Sequence, residues 1–382
     1  MIMSTLNRTL PPAPPHPEHT SEADQLAHRA GEQLASDPSA ARGLAKAALA
    51  LEPAHAVARH HLGEAVARMG KVDRALGLLR EAVSLDARLS DLGGDLPQPA
   101  GPQEPAAWIG RYATDACPVC ESTGGRRVWA GNITRAIVGH GRLDPVRAWI
   151  RCDDCGLLRV EAPVPEVALE AWQDAATSCT PPPPRPAVAG ARIGNWETVI
   201  QRIREAGHGD AWMTRDQEAR YPRPRLLDIG PGHGEAAAAA AWRGFQVDAV
   251  LEEAGPAAWA EAHLDLATKV GSDPEALPDG PYDVVLARMD LCTSTDPVEH
   301  LAMLGDRLAP DGLLALRIQF SDHPMARLQG YDAPNWSAPA ARCWFDRETL
   351  AVAMLRANLC PETSFAAPDE PGVEIVLARR EV

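Results

Sequence analysis

The sequence predicts a multidomain α + α/β chain. N-terminal helical hairpin repeats come first, then a small cysteine-knuckle module. A C-terminal doubly wound, mostly parallel sheet with a final antiparallel strand completes it. Three observations carry this reading. An Ala/Leu-rich segment repeats itself with a period of 34 residues. Two CxxC pairs stand in the middle of the chain. From about residue 190 onwards, short apolar runs alternate with helical spacings, the pattern of a parallel sheet.

Size and composition agree with more than one domain. The chain has 382 residues, enough for two or three units. Hydrophobic residues make up 45% of it but aromatics only 5%, so Ala, Leu and Val must fill the core. The formal charge of −15 argues against a nonspecific nucleic-acid binder, which needs a basic face to neutralise phosphates. No apolar run approaches the roughly 18 residues that suggest a membrane span. The opening MIMSTLNRTLPPAPPHPEHT lacks the apolar stretch of a secretory signal. The expectation is a cytoplasmic protein with no membrane and no nucleic-acid partner. Eight cysteines, four of them in CxxC pairs, fit a reducing compartment.

Residues 1–20 are rich in Pro and His and read as a disordered tail. Residues 21–90 carry the repeat. LALEP ends at Pro53, and VSLDA ends 34 residues later at Ala87. Ala41, Ala45 and Ala48 recur as Ala75, Leu79 and Ala82. Leu62–Gly63 opens the second unit, whereas His28–Arg29 stand at the corresponding place in the first. The pattern resembles the tetratricopeptide repeat, whose helix pairs pack through small residues at fixed positions. About two units are present, and such arrays usually need about three to stand alone. The repeat is therefore expected to dock on its own neighbours or on a second subunit, with a protein partner through residues 21–90 as a further candidate. A plain helical bundle is the alternative. GGDLPQPAGPQEP (93–105) reads as a linker.

A block over 107–178 contains Cys117-Pro-Val-Cys120 and Cys152-Asp-Asp-Cys155, separated by 31 residues. Two-residue spacing lets both thiolates of a knuckle face one ion. Two knuckles complete a tetrahedral sulfur shell, which favours zinc. Gly156 follows the second pair, where a tight turn is useful. A closed four-cysteine site has no open position, so Zn2+ is expected to be structural. A redox dithiol is the rival reading. The long gap suggests an inserted hairpin loop at about 125–148. Cys179, Cys292, Cys343 and Cys360 read as ordinary thiols. PPPPRP (181–186) is a stiff spacer.

In the last block (188–382), strands are predicted at 225–230, 245–252, 282–288 and 312–318, with a helix over 297–312. The informative stretch is Asp228-Ile229-Gly230-Pro231-Gly232-His233-Gly234, a strand feeding a glycine turn and then a helix. Glycine lets backbone approach a ligand closely. A dinucleotide site would read G-x-G-x-x-G, with a pyrophosphate at the helix N-terminus. Here the spacing is G-x-G-x-G, with an acid two residues before the first glycine. A carboxylate repels a pyrophosphate but suits an ammonium group. The next strand ends in Glu252–Glu253, 24 and 25 residues past Asp228, where an acid can take ribose hydroxyls. Successive strand side chains face opposite ways, so the sequence leaves open which of the two points inward.

This pattern resembles motif I of the class I S-adenosylmethionine-dependent methyltransferases, a Rossmann-like family, and the resemblance covers residues 190–382. It implies S-adenosylmethionine as cofactor. Its methionine part would lie on the turn of Gly230, Gly232, His233 and Gly234, with the ammonium at Asp228. Val270-Gly271-Ser272-Asp273-Pro274-Glu275-Ala276-Leu277-Pro278 resembles the family's GDAEELP-like segment, which makes Asp273 the candidate for the adenine amino group. PYDVVLARMDLCTSTDPVEHLAMLGDRLAPDGLLALRI looks like the family's fourth strand, helix and fifth strand. ARCWFDRETLAVAMLRANLCP looks like a segment of many small-molecule methyltransferases, and VEIVLARR supplies the last strand. The cysteine block resembles the zinc ribbon that often precedes this domain in bacterial enzymes acting on sugars and other metabolites.

One departure matters. Relatives often read LEHVxDP after the fourth strand, and the His can act as base. Here the Glu–His pair is replaced by Cys292–Thr293. His300 is expected to face solvent, and Asp290, His323 and Tyr331 are weaker candidates. No catalytic residue is assigned. The resemblance implies methyl transfer to a small-molecule or sugar-like acceptor. The alternative is a scaffold, in which residues 21–90 recruit a protein and the second half is vestigial or acts on that partner.

Overall fold

A computed structural model describes residues 21–86, 116–132, 146–163, 184, 186–208, 223–271, 277–288, 291–338, 340–368 and 370–381. The expected tail (1–20), the linker (93–105), Asp273, Asp290, Cys179, residues 164–178 and most of the proline spacer lie outside them. The chain divides into two compact units. One comprises Met1–Cys117, Glu121–Thr180 and Gln329–Trp344; the other comprises Pro118–Cys120, Pro181–Leu328 and Phe345–Val382.

The first unit begins with four helices: α1 (Glu22–Gln33), α2 (Pro38–Leu51), α3 (Ala56–Arg68) and α4 (Val72–Leu85). Their starts are written locally. Ser21 and Asp24 form a capping box on α1, and Asp37 accepts from Ser39 and Ala40 at the start of α2. The 34-residue period has a physical basis. Ala41, Ala45 and Ala48 are 0% exposed, and so are their counterparts Ala75, Leu79 and Ala82. Gly63 permits a close approach, since a Cβ there would lie 2.9 Å from the Leu79 side chain.

A four-stranded antiparallel sheet follows, ordered β1 (Gly125–Asn132), β2 (Val146–Cys152), β3 (Leu158–Val160) and β9 (Cys343–Trp344). Of the expected hairpin at 125–148, residues 125–132 and 146–148 are paired strand, and 133–145 lie outside the described residues. Ala130, Val146 and Ala148 share a core with Ala45, Leu62, Val66, Leu76 and Leu79, so the repeat packs on its own neighbour. The fourth strand comes from the segment 329–344, inside the stretch whose sequence suggested the last block. Aromatic contacts secure that segment within the unit. Trp336 stacks on Trp129 and meets Trp149 and Trp344 edge-on. Arg68 lies over the Tyr331 ring and pairs with Asp332.

The second unit is a seven-stranded sheet ordered β10-β11-β8-β7-β4-β5-β6. These are β4 (Arg225–Ile229), β5 (Gln246–Leu251), β6 (Thr268–Val270), β7 (Tyr282–Ala287), β8 (Leu308–Gln319), β10 (Leu359–Ala366) and β11 (Val373–Arg380). Strands β4 to β8 run parallel, and β11 is antiparallel to β8 and β10. The helices are α5 (Pro186–His208), α6 (Glu235–Trp242), α7 (Ala254–Leu264), α8 (Pro297–Asp306), α9 (Pro324–Gln329) and α11 (Arg347–Arg356); the short α10 (Pro334–Ser337) belongs to the first unit. On one sheet face Leu226, Val284, Leu286, Leu313 and Ala315 pack with Ile200 and Ile203 of α5 and with Ala236–Ala240 of α6. That helix is almost pure alanine, and all five of those alanines are buried, which brings its backbone close to the strands. Alternate residues Leu227, Val285, Leu314 and Leu316, on the other face, are also buried. Burial on both faces explains the unbroken apolar runs.

Two boundaries differ from expectation. The helix predicted over 297–312 ends at Asp306, and β8 begins at Leu308, paired with Tyr282. The register then shifts between Tyr282 and Val284, and Gly312 sits where a Cβ would be 2.7 Å from the Tyr282 carbonyl oxygen. Pro and Gly mark an irregularity within the strand rather than a helix stop. Strand β10 carried no clear signal because Pro361 and Glu362 interrupt it; an edge strand tolerates both.

Leu79→Ala is expected to cost about 2–5 kcal/mol, as a large-to-small change at a fully buried site. Urea unfolding followed by far-ultraviolet circular dichroism would measure it.

Candidate functional site

The second sheet has a topological switch point. The chain moves from β4 outward through β5 and β6, then crosses to β7 on the other side of β4. A crevice at the carboxyl ends of strands is expected there. At the opposite ends lies a structural ion network. Arg225 pairs with Asp248 at 3.0 Å, and the Tyr282 hydroxyl donates to Asp248 at 2.7 Å.

The glycine turn sits at the carboxyl end of β4. Gly230, Gly232 and Gly234 have φ of 137°, 116° and 82°, conformations that other residues rarely adopt. Gly234 is also the N-cap of α6, and a Cβ there would lie 3.1 Å from Ala260 and 3.0 Å from Leu266. The spacing G-x-G-x-G therefore answers to backbone conformation at each glycine.

Asp228 is 0% exposed. Its carboxylate is held by Arg288, which follows β7. Arg288 Nε donates to Oδ1 at 2.7 Å and Nη2 to Oδ2 at 3.0 Å. Arg288 Nη1 also donates to the Pro231 carbonyl, so one guanidinium ties β4, β7 and the turn together. Burial alone would lower the Arg288 pKa, but Asp228, with Glu235 and Glu252 beyond it, reverses the direction. The indole of Trp196 on α5 faces the guanidinium at 5.5 Å. Asp228 was legible in the sequence. Arg288 was not, because 60 residues separate the two and only the parallel pairing of β4 with β7 brings them together.

A second buried carboxylate occupies the turn. Glu235, the first residue of α6, is 4% exposed. It accepts from the His233 N–H at 2.8 Å and from Arg192 Nη1 of α5 at 3.2 Å. Burial would raise its pKa, yet the backbone N–H groups of Glu235 and His233, with Arg192 and Arg288, hold it below the ordinary 4.5. The helix N-terminus, where a pyrophosphate would rest, thus carries the chain's own anion.

His233 lies edge-on to Trp259 at 5.4 Å, and Trp259 stacks on His263 at 4.8 Å. Burial lowers the His233 pKa, which keeps the imidazole neutral at pH 7. Glu252 is exposed and Glu253 half-buried at the N-cap of α7. The Glu252 charge acts on Arg288 and the Glu253 charge on His233, so both acids border the turn.

The candidates for a base lie elsewhere. His300 is half-buried, not solvent-facing, and burial lowers its pKa. His323 accepts from the Met325 N–H at 3.1 Å, near the start of α9. The Tyr331 hydroxyl donates to the Ala130 carbonyl in the first unit, a structural bond. Cys292 is buried and Thr293 exposed in a 3-10 turn.

The ligand sulfurs of Cys117, Cys120, Cys152 and Cys155 all lie within 4.8 Å of one another. Sγ of Cys117 is 3.5 Å from Sγ of Cys155. Four sulfurs about 2.3 Å from a tetrahedral ion would be about 3.8 Å apart, so the set is shaped for one. The knuckles close alike. Glu121 N–H donates to the Cys117 carbonyl at 2.8 Å, and Gly156 N–H to the Cys152 carbonyl at 3.1 Å. Glu121 and Gly156 both take positive φ, 63° and 81°.

Comparison with known proteins names the class of the second unit. Residues 191–363 match the family described as a methyltransferase domain. The chain therefore carries a methyltransferase domain, and that stretch holds the glycine turn, Asp228 and Arg288. Among solved structures the chain is similar to the mitomycin 7-O-methyltransferase MmcR, at 17% identity and TM-score 0.38 over 56% of this chain. It spans 58% of that enzyme's length. It is also similar to a 1,6-didemethyltoxoflavin N1-methyltransferase of Burkholderia thailandensis, bound to 1,6-didemethyltoxoflavin and S-adenosylhomocysteine. That match has 20% identity and TM-score 0.38, covering 62% of this chain and 97% of that one. A TehB-like methyltransferase of Corynebacterium glutamicum matches at 19% identity and TM-score 0.31, over 50% of this chain and 99% of that one. No curated protein matches the chain. Among the described residues, no helix is long and apolar enough to cross a membrane.

Glu235 contributes stability that is fully present above the unfolded carboxyl pKa of 4.5 and is lost as pH falls through its lower folded value. Glu235→Gln is expected to lower the thermal midpoint at neutral pH. The gap to wild type should shrink as pH falls below 4.5. Calorimetric scans of both proteins across acid pH would check this.

Proposed function

We propose that the chain is an S-adenosylmethionine-dependent methyltransferase acting on a small-molecule or sugar-like acceptor. The observation that carries this reading is the anionic glycine turn at the switch point, within the matched methyltransferase domain. Asp228, Glu235 and Glu252 surround it, which disfavours a phosphate-bearing ligand and suits a cationic one. In this reading Gly230, Gly232, His233 and Gly234 lie against the methionine part. Asp228 takes the ammonium, Glu252 or Glu253 the ribose hydroxyls, and Asp273 the adenine amino group. Glu252 is the better ribose candidate, because its charge acts on the guanidinium bound to Asp228.

The sulfonium supplies an activated methyl group, so the chain's work is to orient the acceptor and exclude water. Bound there, the cofactor would supply its methyl group to the acceptor's nucleophilic atom, with the electron pair of the broken carbon–sulfur bond left on sulfur. A protonated acceptor loses its proton to a base or to water. With Cys292–Thr293 in place of Glu–His, the reading assigns no base and favours an acceptor that needs little help.

The four cysteines hold a structural Zn2+, and residues 21–90 are tetratricopeptide-like repeats that offer a face to a protein partner. The protein is cytoplasmic, with no nucleic-acid or membrane partner.

Isothermal titration with S-adenosylmethionine and S-adenosylhomocysteine is expected to show one site per chain; absence of heat with both would overturn the cofactor reading. Elemental analysis of the purified protein is expected to find about one zinc per chain. Cys152→Ser should lose it together with much of the first unit's thermal stability. Full metal retention in that variant would refute the four-cysteine site.

A further inference from the structure

Helix α3 carries a cluster that neither the repeat pattern nor methyl transfer explains. His60, His61 and Glu64 stand on it. Glu64 is four residues past one histidine and three past the other, so helix geometry turns both imidazoles toward one carboxylate. His60 Nδ1 and His61 Nδ1 each lie 3.9 Å from Glu64 Oε2. One ligand atom from each of the three residues falls within 4.8 Å of the others. All three side chains are mostly buried, His60 most of all.

That spacing suits a shared ion better than a shared proton. A distance of 3.9 Å is too long for a hydrogen bond. Two bonds of about 2.0–2.1 Å meeting at a tetrahedral ion hold their ends about 3.3 Å apart, so side-chain adjustments of roughly half an ångström close the set. His61 supplies a second observation. Its Nδ1 is buried and has no hydrogen-bond partner among the described residues. The other edge of the ring is fixed by packing, since a Cβ added to Gly31 of α1 would lie 3.0 Å from His61 Nε2 and 3.1 Å from Cε1. Glycine there admits the imidazole with Nδ1 turned toward Glu64. Charge points the same way. Arg68, one turn further along α3, feels the Glu64 charge, but both its Nη atoms already donate to Asp332. With neutral imidazoles, one guanidinium and two carboxylates leave a net negative charge that a divalent cation offsets.

We propose that His60, His61 and Glu64 form a second metal site, separate from the four cysteines, for a divalent transition ion of the zinc class. Two imidazoles and a carboxylate are donors such ions prefer, whereas Mg2+ and Ca2+ favour oxygen alone. All three ligands come from one helix, so the ion keeps at least one position for water or an outside donor. With three protein ligands the site holds its ion less tightly than a four-thiolate shell. It therefore fills on titration, while the cysteine set keeps its zinc through purification. The inference stands on the first unit alone and does not depend on the cofactor reading.

The test uses the full chain carrying its cysteine-bound zinc, titrated with Zn2+, Co2+ and Mg2+ in separate calorimetric runs. Wild type is expected to bind one further equivalent of Zn2+ or Co2+ and to give no heat with Mg2+. Cobalt in this site should add visible absorption without the thiolate-to-metal charge transfer that marks a cysteine ligand. His61→Ala and Glu64→Gln are each expected to weaken the further equivalent at least about tenfold, with the circular dichroism spectrum unchanged. Glu64→Gln keeps the size of the side chain, so it carries the test should His61→Ala not fold. Absence of a further equivalent in wild type, equal binding of Mg2+, thiolate charge transfer from the added cobalt, or undiminished affinity in a folded Glu64→Gln variant would overturn the site.

Discussion

The buried pair of Asp228 and Arg288 is the constraint on which the second unit's site depends. A carboxylate at 0% exposure needs a hydrogen-bonded partner of opposite charge, and breaking such a pair costs about 3–5 kcal/mol. Arg288 meets that need from the next strand over and then reaches the carbonyl of Pro231. One side chain thus couples the ends of β4 and β7 to the glycine turn. The shape of the turn, the position of Gly232 and the charge balance around it all follow from where that guanidinium sits.

Charge organises the rest of the turn as well. Glu235 places an anion at the start of α6, where the helix dipole and the backbone N–H groups stabilise it. Arg192 closes over it from α5. The result is a helix N-terminus already satisfied from within the chain, unlike one that waits for phosphate.

The first unit solves a different problem. Two helical hairpins expose a face that needs covering, and the strands of the cysteine module cover it, with Ala130, Val146 and Ala148 joining the helical core. The segment 329–344 adds a strand and three large aromatic residues to that sheet. Aromatics are scarce in this chain, and here they are concentrated. The two CxxC knuckles stand at the ends of the same strands, where paired left-handed residues bring the four thiols together.

Much of this was written locally and could be read without coordinates. The 34-residue period marked the buried positions of α2 and α4, because helix packing repeats with the sequence. The glycines named their own turn, because only a positive φ requires them there. The strands β4, β5 and β7 showed as apolar runs because both their faces are buried. Tertiary structure alone decided the partner of Asp228, since an arginine 60 residues away reaches it only through parallel strand pairing. It alone decided that Cys343–Trp344 would join the small sheet, and that Pro310 and Gly312 would lie inside a strand. Residue type and spacing report what a segment needs from its immediate backbone. Which distant side chain answers a buried charge, and which sheet takes a two-residue strand, depends on contacts that no local pattern encodes.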